Sequence, residues 1–346
     1  MTDNRPIIGI TMGDAAGIGP EIIAKSLIKE DVYTKCKPIV IGDARVIHQG
    51  CNIAKKDLKI NALSKIKDAQ FKFGTIDVLD LSIVSPDEYE FGRPQKVTGR
   101  AAGESIKKAI ELACSGEIHG VTTCPIHKDA FKMAGFPFAG HTEMFGELTG
   151  TKDYRMMLVH GDLRIIHNTA HVSLRQAIEM VKKPRLLKTI ELAYQFGKRL
   201  GLKNPKIAVS GLNPHCGEEG MFGDEEIKEI IPAIREAAKE GINIYKEPVP
   251  ADTIFAKASA YHYDIIVAMY HDQGHIPVKI NGFKWDKNTK EVLFVKGVNV
   301  TVGLPIIRTS VDHGVAFGKA GKGLANHESL LEALFMAVSL ASHKGV

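Results

Sequence analysis

The sequence predicts an α/β protein built on parallel sheets, and three observations carry that prediction. Short apolar runs alternate with longer amphipathic stretches, Gly, Asp, Asn or Pro bounds the runs, and 346 residues exceed one ordinary domain and suffice for two. Taken in order, strands are expected at Ile7–Thr11, 38–41, Gly120–Thr123, 156–159, 206–210 and 265–269. Helical spacing of apolar residues marks 99–115, 182–200, 224–240 and 326–343. In the third of these, an acidic cap at Asp224 and first-turn acids precede the apolar face Ile227, Ile230, Ile231 and Ile234. Such alternation implies sheets covered by helices on both faces. The polar stretch within 284–296 reads as a hairpin tip between two β-rich arms. No linker separates domains, so the chain is expected to cross between two lobes more than once, with a site in the cleft between them.

Composition narrows the function classes. A hydrophobic share of 44% and a charged share of 25% are those of a globular chain with a sizeable core. The net charge of +5 is small, and its lysines and arginines are interleaved with acids, so no block tracks a nucleic-acid backbone. No apolar segment reaches membrane-spanning length, and the start lacks the pattern of a signal peptide. Five cysteines without paired spacing fit reduced thiols in a cytoplasmic protein. Cys216, beside a candidate metal ligand, reads as a small buried residue.

Polar residues gather just after the expected strands, where open parallel sheets bind ligands. His215 and His271 follow two such strands and His171 follows the stretch 165–170, and imidazole suits divalent transition metals; surface or core histidines are the alternative among 14 in the chain. Asp272 would orient a neighbouring ligand or cap a turn. Gly13, Asp14, Gly17 and Gly19 link the first strand to a helix. They would let a cofactor phosphate approach the backbone, or they form a plain strand-to-helix turn. Their spacing is neither the dinucleotide-binding fingerprint nor a P-loop. His141 and Thr142 would receive an oxyanion near a helix start, or cap it. Lys279, Asn299 and Arg308 stand in apolar, strand-like surroundings, where a bound carboxylate or phosphate, or an internal salt bridge, would be their partner.

Taken together, ordered segments carry a resemblance that covers nearly the whole chain. The segments 9–21 (GITMGDAAGIGPE), 123–128 with 140–143 (TCPIHK and GHTE), 211–217 (GLNPHCG), 271–274 (HDQG) and 297–314 (GVNVTVGLPIIRTSVDHG) resemble the 4-hydroxythreonine-4-phosphate dehydrogenase family of pyridoxine biosynthesis. The resemblance implies a two-lobed α/β/α fold similar to isocitrate and isopropylmalate dehydrogenases, with an NAD site unlike the Rossmann one. It implies lobes of 1–125 plus 297–346 and of 126–296. His171, His215 and His271 match its metal ligands, and His141, Thr142, Lys279, Asn299 and Arg308 its substrate positions. Lys279 and Asp272 become candidates for proton handling. A homodimer is implied whose active site is shared across the interface, with His271 reaching in from the partner.

The implied reaction is NAD- and metal-dependent oxidation of a four-carbon 4-phosphorylated hydroxy acid, with decarboxylation. Zinc, cobalt, manganese, nickel or magnesium would serve, and NAD is not separated from NADP. Two departures bear on the substrate. His275 follows the HDQG segment where biosynthetic members have Leu-Pro, which is more like the branch acting on D-threonate or D-erythronate 4-phosphate. The stretch 284–296 is also longer than the pattern. Ala15 stands where Pro is usual. The competing readings are a phosphate acyltransferase on a related fold, which needs no metal-binding histidines, and a non-catalytic ligand-binding relative.

Overall fold

A computed structural model describes residues 3–289 and 292–343. The strands in chain order are β1 (Ile7–Thr11), β2 (Lys37–Gly42), β3 (Lys59–Leu63), β4 (Thr75–Asp80) and β5 (Gly120–Thr123), followed by β6 (Arg155–His160), β7 (Leu163–His167), β8 (Ile207–Val209) and β9 (Ile265–Ala268). The last four are β10 (Phe283–Trp285), β11 (Val292–Val295), β12 (Val298–Val302) and β13 (Arg308–Val311). The chain divides into two compact units, one of residues 1–152, 294–298 and 304–342, the other of 153–293, 299–303 and 343–346. The expected lobe boundary at 125/126 falls inside the first unit. The reason is local: the helix Lys128–Met133 packs on the helix Lys96–Ser115, where a Cβ at Gly99 would overlap the Ala130 carbonyl.

The first unit carries strands in the order β3-β4-β2-β1-β5-β13, all parallel. Ile8, Ile10, Ile39, Ile41 and Val78 are fully buried in it. These strands read as continuous apolar runs because helices cover both faces, and each such side chain contributes about 1.5–3 kcal/mol through burial. β3 carries exposed positions and β4, though buried, is interrupted by Asp77 and Asp80, so neither gave an apolar run to read.

In the second unit the order is β12-β6-β7-β9-β8. β7, β9 and β8 are parallel, whereas β6 and β7 form an antiparallel hairpin over Gly161 and Asp162, with Met157 opposite Ile166. Purely parallel sheets, expected from the alternation, are therefore corrected here: a two-residue turn leaves no room for a crossover helix. Leu158, Ile165, Ala208, Ile254, Ile266 and Val278 share the core of this unit. The predicted hairpin exists as the β10 and β11 pair. Its tip includes residues 290 and 291, which lie outside the described residues. Among the described residues, no helix is long and apolar enough to cross a membrane.

Candidate active site

Three adjacent parallel strands, β7, β9 and β8, end on the same edge of the second unit, and each is followed by one of the expected metal ligands. After β7, Asn168 N donates to Ala268 O (2.7 Å) and Thr169 Oγ1 to Met269 O (2.8 Å). These bonds lace the approach to His171 onto the end of β9, just before His271. The two rings consequently lie 5.5 Å apart between centroids in one chain. His271 was expected to reach in from a partner; within the chain it stands beside His171. Both line a depression of about 480 Å³ with Ser173, Gln176, Tyr270 and Asp272.

His271 opens the helix His271–Gly282, and one turn on, His275 stacks over it at 3.6 Å and 13°. His275 Nδ1 lies 2.9 Å from His271 O and 3.2 Å from His167 Nε2, and His167 Nδ1 lies 3.2 Å from Met156 O. A carbonyl only accepts, so His167 carries its proton on Nδ1 and accepts at Nε2, and His275 carries its proton on Nδ1. That chain of bonds leaves His275 Nε2 as a lone-pair nitrogen. Burial, reinforced by the neighbouring imidazole, pushes His167 down to about 3 and His275 down to about 4, so both rings are neutral. Gly274 permits this contact, since a Cβ there would overlap His167 Nε2.

His215 sits in an unusual backbone. From His215 to Glu219, five consecutive residues have φ of 50°, 60°, 82°, 41° and 57°, a left-handed turn with only one glycine. Left-handed helical conformation costs about 1–2 kcal/mol per non-glycine residue, and such strain gathers at functional sites. His215 Nδ1 is bonded to Glu218 Oε1 (2.7 Å), and His271 Nδ1 to Asp272 Oδ1 (2.6 Å). Both imidazoles are thus oriented by a carboxylate on Nδ1, which leaves Nε2 as the donor nitrogen. Metal-binding histidines are held in this way. The donor set fits a divalent cation on this ground, although no three His, Cys, Asp or Glu side chains form a closed group among the described residues of one chain.

Two buried side chains support these loops. Gln273 Oε1 accepts from Met269 N (2.6 Å) and its Nε2 donates to Gly211 O (2.8 Å), joining the approaches to His271 and His215. Glu226 Oε1 accepts from the backbone N–H groups of Leu212 and Asn213, both at 2.8 Å, and Oε2 from Asn213 Nδ2 at 2.8 Å. The expected apolar face of this helix holds at Ile230 and Ile234, both fully buried, and is corrected at its first position: Ile227 is 50% exposed and Glu226 only 1%. Glu226–Ile230 form a π-turn ahead of the helix Ile231–Lys239, and the wider turn shifts the buried face by one residue.

Of the substrate positions, His141, Thr142 and Arg308 belong to the first unit, and Lys279 and Asn299 to the second. Arg308, on β13, donates from Nη2 to Thr123 Oγ1 (2.9 Å) and lies over the Phe145 ring. Burial lowers it to about 10. His141 begins the helix His141–Leu148; burial, then the charge of Arg308, holds its pKa well below the usual histidine range. Its Nε2 is buried without a hydrogen-bond partner, as is Asn299 Oδ1. Buried groups of this kind await a ligand or a water. Lys279 stands on a helix, one turn past His275 and 4.5 Å from the Phe283 ring, not in the strand-like setting expected. The apolar residues around it mimic a strand pattern because Pro277 interrupts the helical one.

Gly13, Asp14, Gly17 and Gly19 receive a correction. The whole turn is buried within the first unit: Gly19 packs on the Met12 carbonyl and Asp14 Oδ1 caps Ala16 N (2.9 Å). Their close approach is to protein backbone, not to a cofactor phosphate, so these residues do not fit that role.

The molecule is a largely parallel α/β frame that presents carboxylate-oriented histidines at its strand ends. Residues 34–337 match the family described as pyridoxal phosphate biosynthetic protein PdxA. The D-threonate 4-phosphate dehydrogenase of Cupriavidus necator is 45% identical over 345 residues, 99% of this chain and 100% of that protein. A crystal structure of a 4-hydroxythreonine-4-phosphate dehydrogenase from Burkholderia phymatum superimposes with a TM-score of 0.84 at 43% identity, covering 98% of this chain and 99% of that one. One from Klebsiella pneumoniae gives 0.85 at 38% identity, covering 97% and 99%. The chain belongs to the PdxA family, and it is a dehydrogenase acting on a CH–OH group.

Proposed function

We propose that the chain oxidises D-threonate 4-phosphate, or its close analogues D-erythronate 4-phosphate and 4-hydroxythreonine 4-phosphate, with NAD and a divalent metal, in the cytoplasm. The observation that carries this reading is the pairing of His215 with Glu218 and of His271 with Asp272, which prepares two imidazoles as metal donors. Full-length identity to a D-threonate 4-phosphate dehydrogenase supports the substrate class, and five free cysteines suit a reducing compartment.

In this reading His171, His215 and His271 hold the metal, drawn from two copies of the chain. The metal supplies Lewis acidity that lowers the pKa of the substrate hydroxyl, and the nicotinamide accepts the hydride. Arg308, His141 and Thr142 receive an anionic group of the substrate at a buried guanidinium and a neutral imidazole. His275 offers its Nε2 lone pair to a hydrogen-bond donor of the substrate, a hydroxyl or an amine. Lys279, one helical turn on, and Asp272 are the groups proposed to move protons. Oxidation of a hydroxyl β to a carboxylate gives a β-keto acid, which loses CO2 and takes up one proton.

The test is a steady-state comparison of the three phosphates, following NADH absorbance with a panel of divalent ions. D-threonate 4-phosphate is expected to be turned over fastest. His215→Ala is expected to abolish turnover while leaving the fold intact by circular dichroism. Full activity in that variant, or after exhaustive chelation, would sink the metal assignment.

A further inference from the structure

We propose that Glu226 is a positioning residue for His215: its buried carboxylate clamps the entrance of the left-handed turn and so fixes where that imidazole points. The inference rests on the reading of His215 as a metal ligand.

The turn from His215 to Glu219 is held against the backbone preference of its residues. Something outside it must fix its geometry, or it relaxes to right-handed conformations and carries His215 away. Glu226 is in the right place to do this. One oxygen takes the successive N–H groups of Leu212 and Asn213, and the other takes the Asn213 amide. Asn213 is the residue from which the turn departs, its carbonyl accepting from Cys216 N (3.1 Å). Within the turn, a Cβ on Gly217 would come 3.1 Å from Glu226 Oε2, so the carboxylate also packs against its midpoint. Charge-assisted bonds of this kind are about twice as strong as neutral ones. The start of a helix further favours an anion.

The π-turn explains how an acid comes to be there. Continuous α-helical spacing would bury Ile227 and leave Glu226 in solvent; the extra residue of the π-turn reverses this. The helix gives up an apolar contact and places a carboxylate under the metal loop. That exchange makes sense for a ligand-bearing loop and has no use in a plain core.

The experiment titrates the full-length, metal-stripped protein with Co2+, followed by its visible absorption band, for wild type, Glu226→Gln, Glu226→Asp, Asn213→Ala and His215→Ala. Glutamine keeps one oxygen for the backbone N–H groups but turns an amide donor toward the Asn213 amide. Glu226→Gln is expected to weaken Co2+ binding about 10–100-fold and to change the band shape toward that of His215→Ala. Aspartate should recover part of the affinity. Wild-type affinity and spectrum in Glu226→Gln, alongside loss in His215→Ala, overturn this proposal alone. Wild-type binding in His215→Ala overturns the ligand reading and the proposal with it. Should Glu226→Gln not fold, Asn213→Ala carries the test, because it removes the amide end of the clamp together with that amide's bond to Glu225 (2.7 Å); unchanged Co2+ affinity there overturns the proposal.

Discussion

At the scale of single residues, the site depends on which nitrogen of each imidazole is engaged. Glu218 and Asp272 take the Nδ1 of their histidines, and Met156 and His167 fix the protons of the buried pair. Gly274 makes the last of these contacts possible. Gly274→Ala is therefore expected to destabilise the chain by about 1–3 kcal/mol, the range for overpacking, read as a shift in the denaturant midpoint at unchanged slope. An unchanged midpoint would show that the His167 ring moves aside freely. Asp272→Asn should weaken Co2+ binding about tenfold, as loss of an orienting carboxylate does, and Co2+ titration measures it. The sequence made His171, His215 and His271 visible because each follows an apolar strand. It hid Glu218 and Glu226, since an acid beside a helix start looks the same whether it faces water or a loop. It also hid the role of His167, which looked like part of a strand.

At the scale of elements, the strand-to-helix turn at Gly13–Gly19 was legible as a turn but not in purpose. Closely spaced glycines serve a phosphate and a tight protein contact equally well, and only burial distinguishes them. Asp14 inside this turn gives a pH-dependent consequence. Burial holds its carboxyl above the usual carboxylate range, with the Ala16 N–H opposing. A folded pKa raised above the unfolded one makes the native state bind protons more readily, so stability falls as pH rises through the raised value. Asp14→Asn is expected to melt about 1–3 °C higher than wild type at neutral pH, with the difference vanishing below about pH 4. Thermal melts across pH 3 to 8 check this, and a lower melting point at pH 7 would contradict it. The π-turn at Glu226–Ile230 lay beyond the reach of periodicity, because a single inserted residue leaves the apolar count of the helix unchanged. The antiparallel β6–β7 hairpin escaped because both its strands are buried and apolar, as parallel ones are.

At the scale of the whole molecule, the proposed homodimer can be tested without a structure. If His215 and His271 of one metal site come from different copies, a mixed dimer of His215→Ala and His271→Ala keeps one intact site and loses both ligands from the other. Random exchange makes half the dimers mixed, so about a quarter of wild-type sites are restored. Two inactive variants, unfolded and refolded together, should regain roughly that share of NADH formation. No recovery would place His215 and His271 of one site in the same copy.

The left-handed turn at His215 also bears on how the chain tolerates engineering. Glu219 is exposed and sits at φ 57°, so Glu219→Gly should raise stability by up to about 1 kcal/mol in chemical denaturation. A thermostabilisation screen that scores only melting temperature will be drawn to the four non-glycine positions of this turn. On the proposed reading, each accepted glycine would loosen the turn that aims the His215 imidazole, so resistance to heat would be traded for turnover, residue by residue, along one short loop.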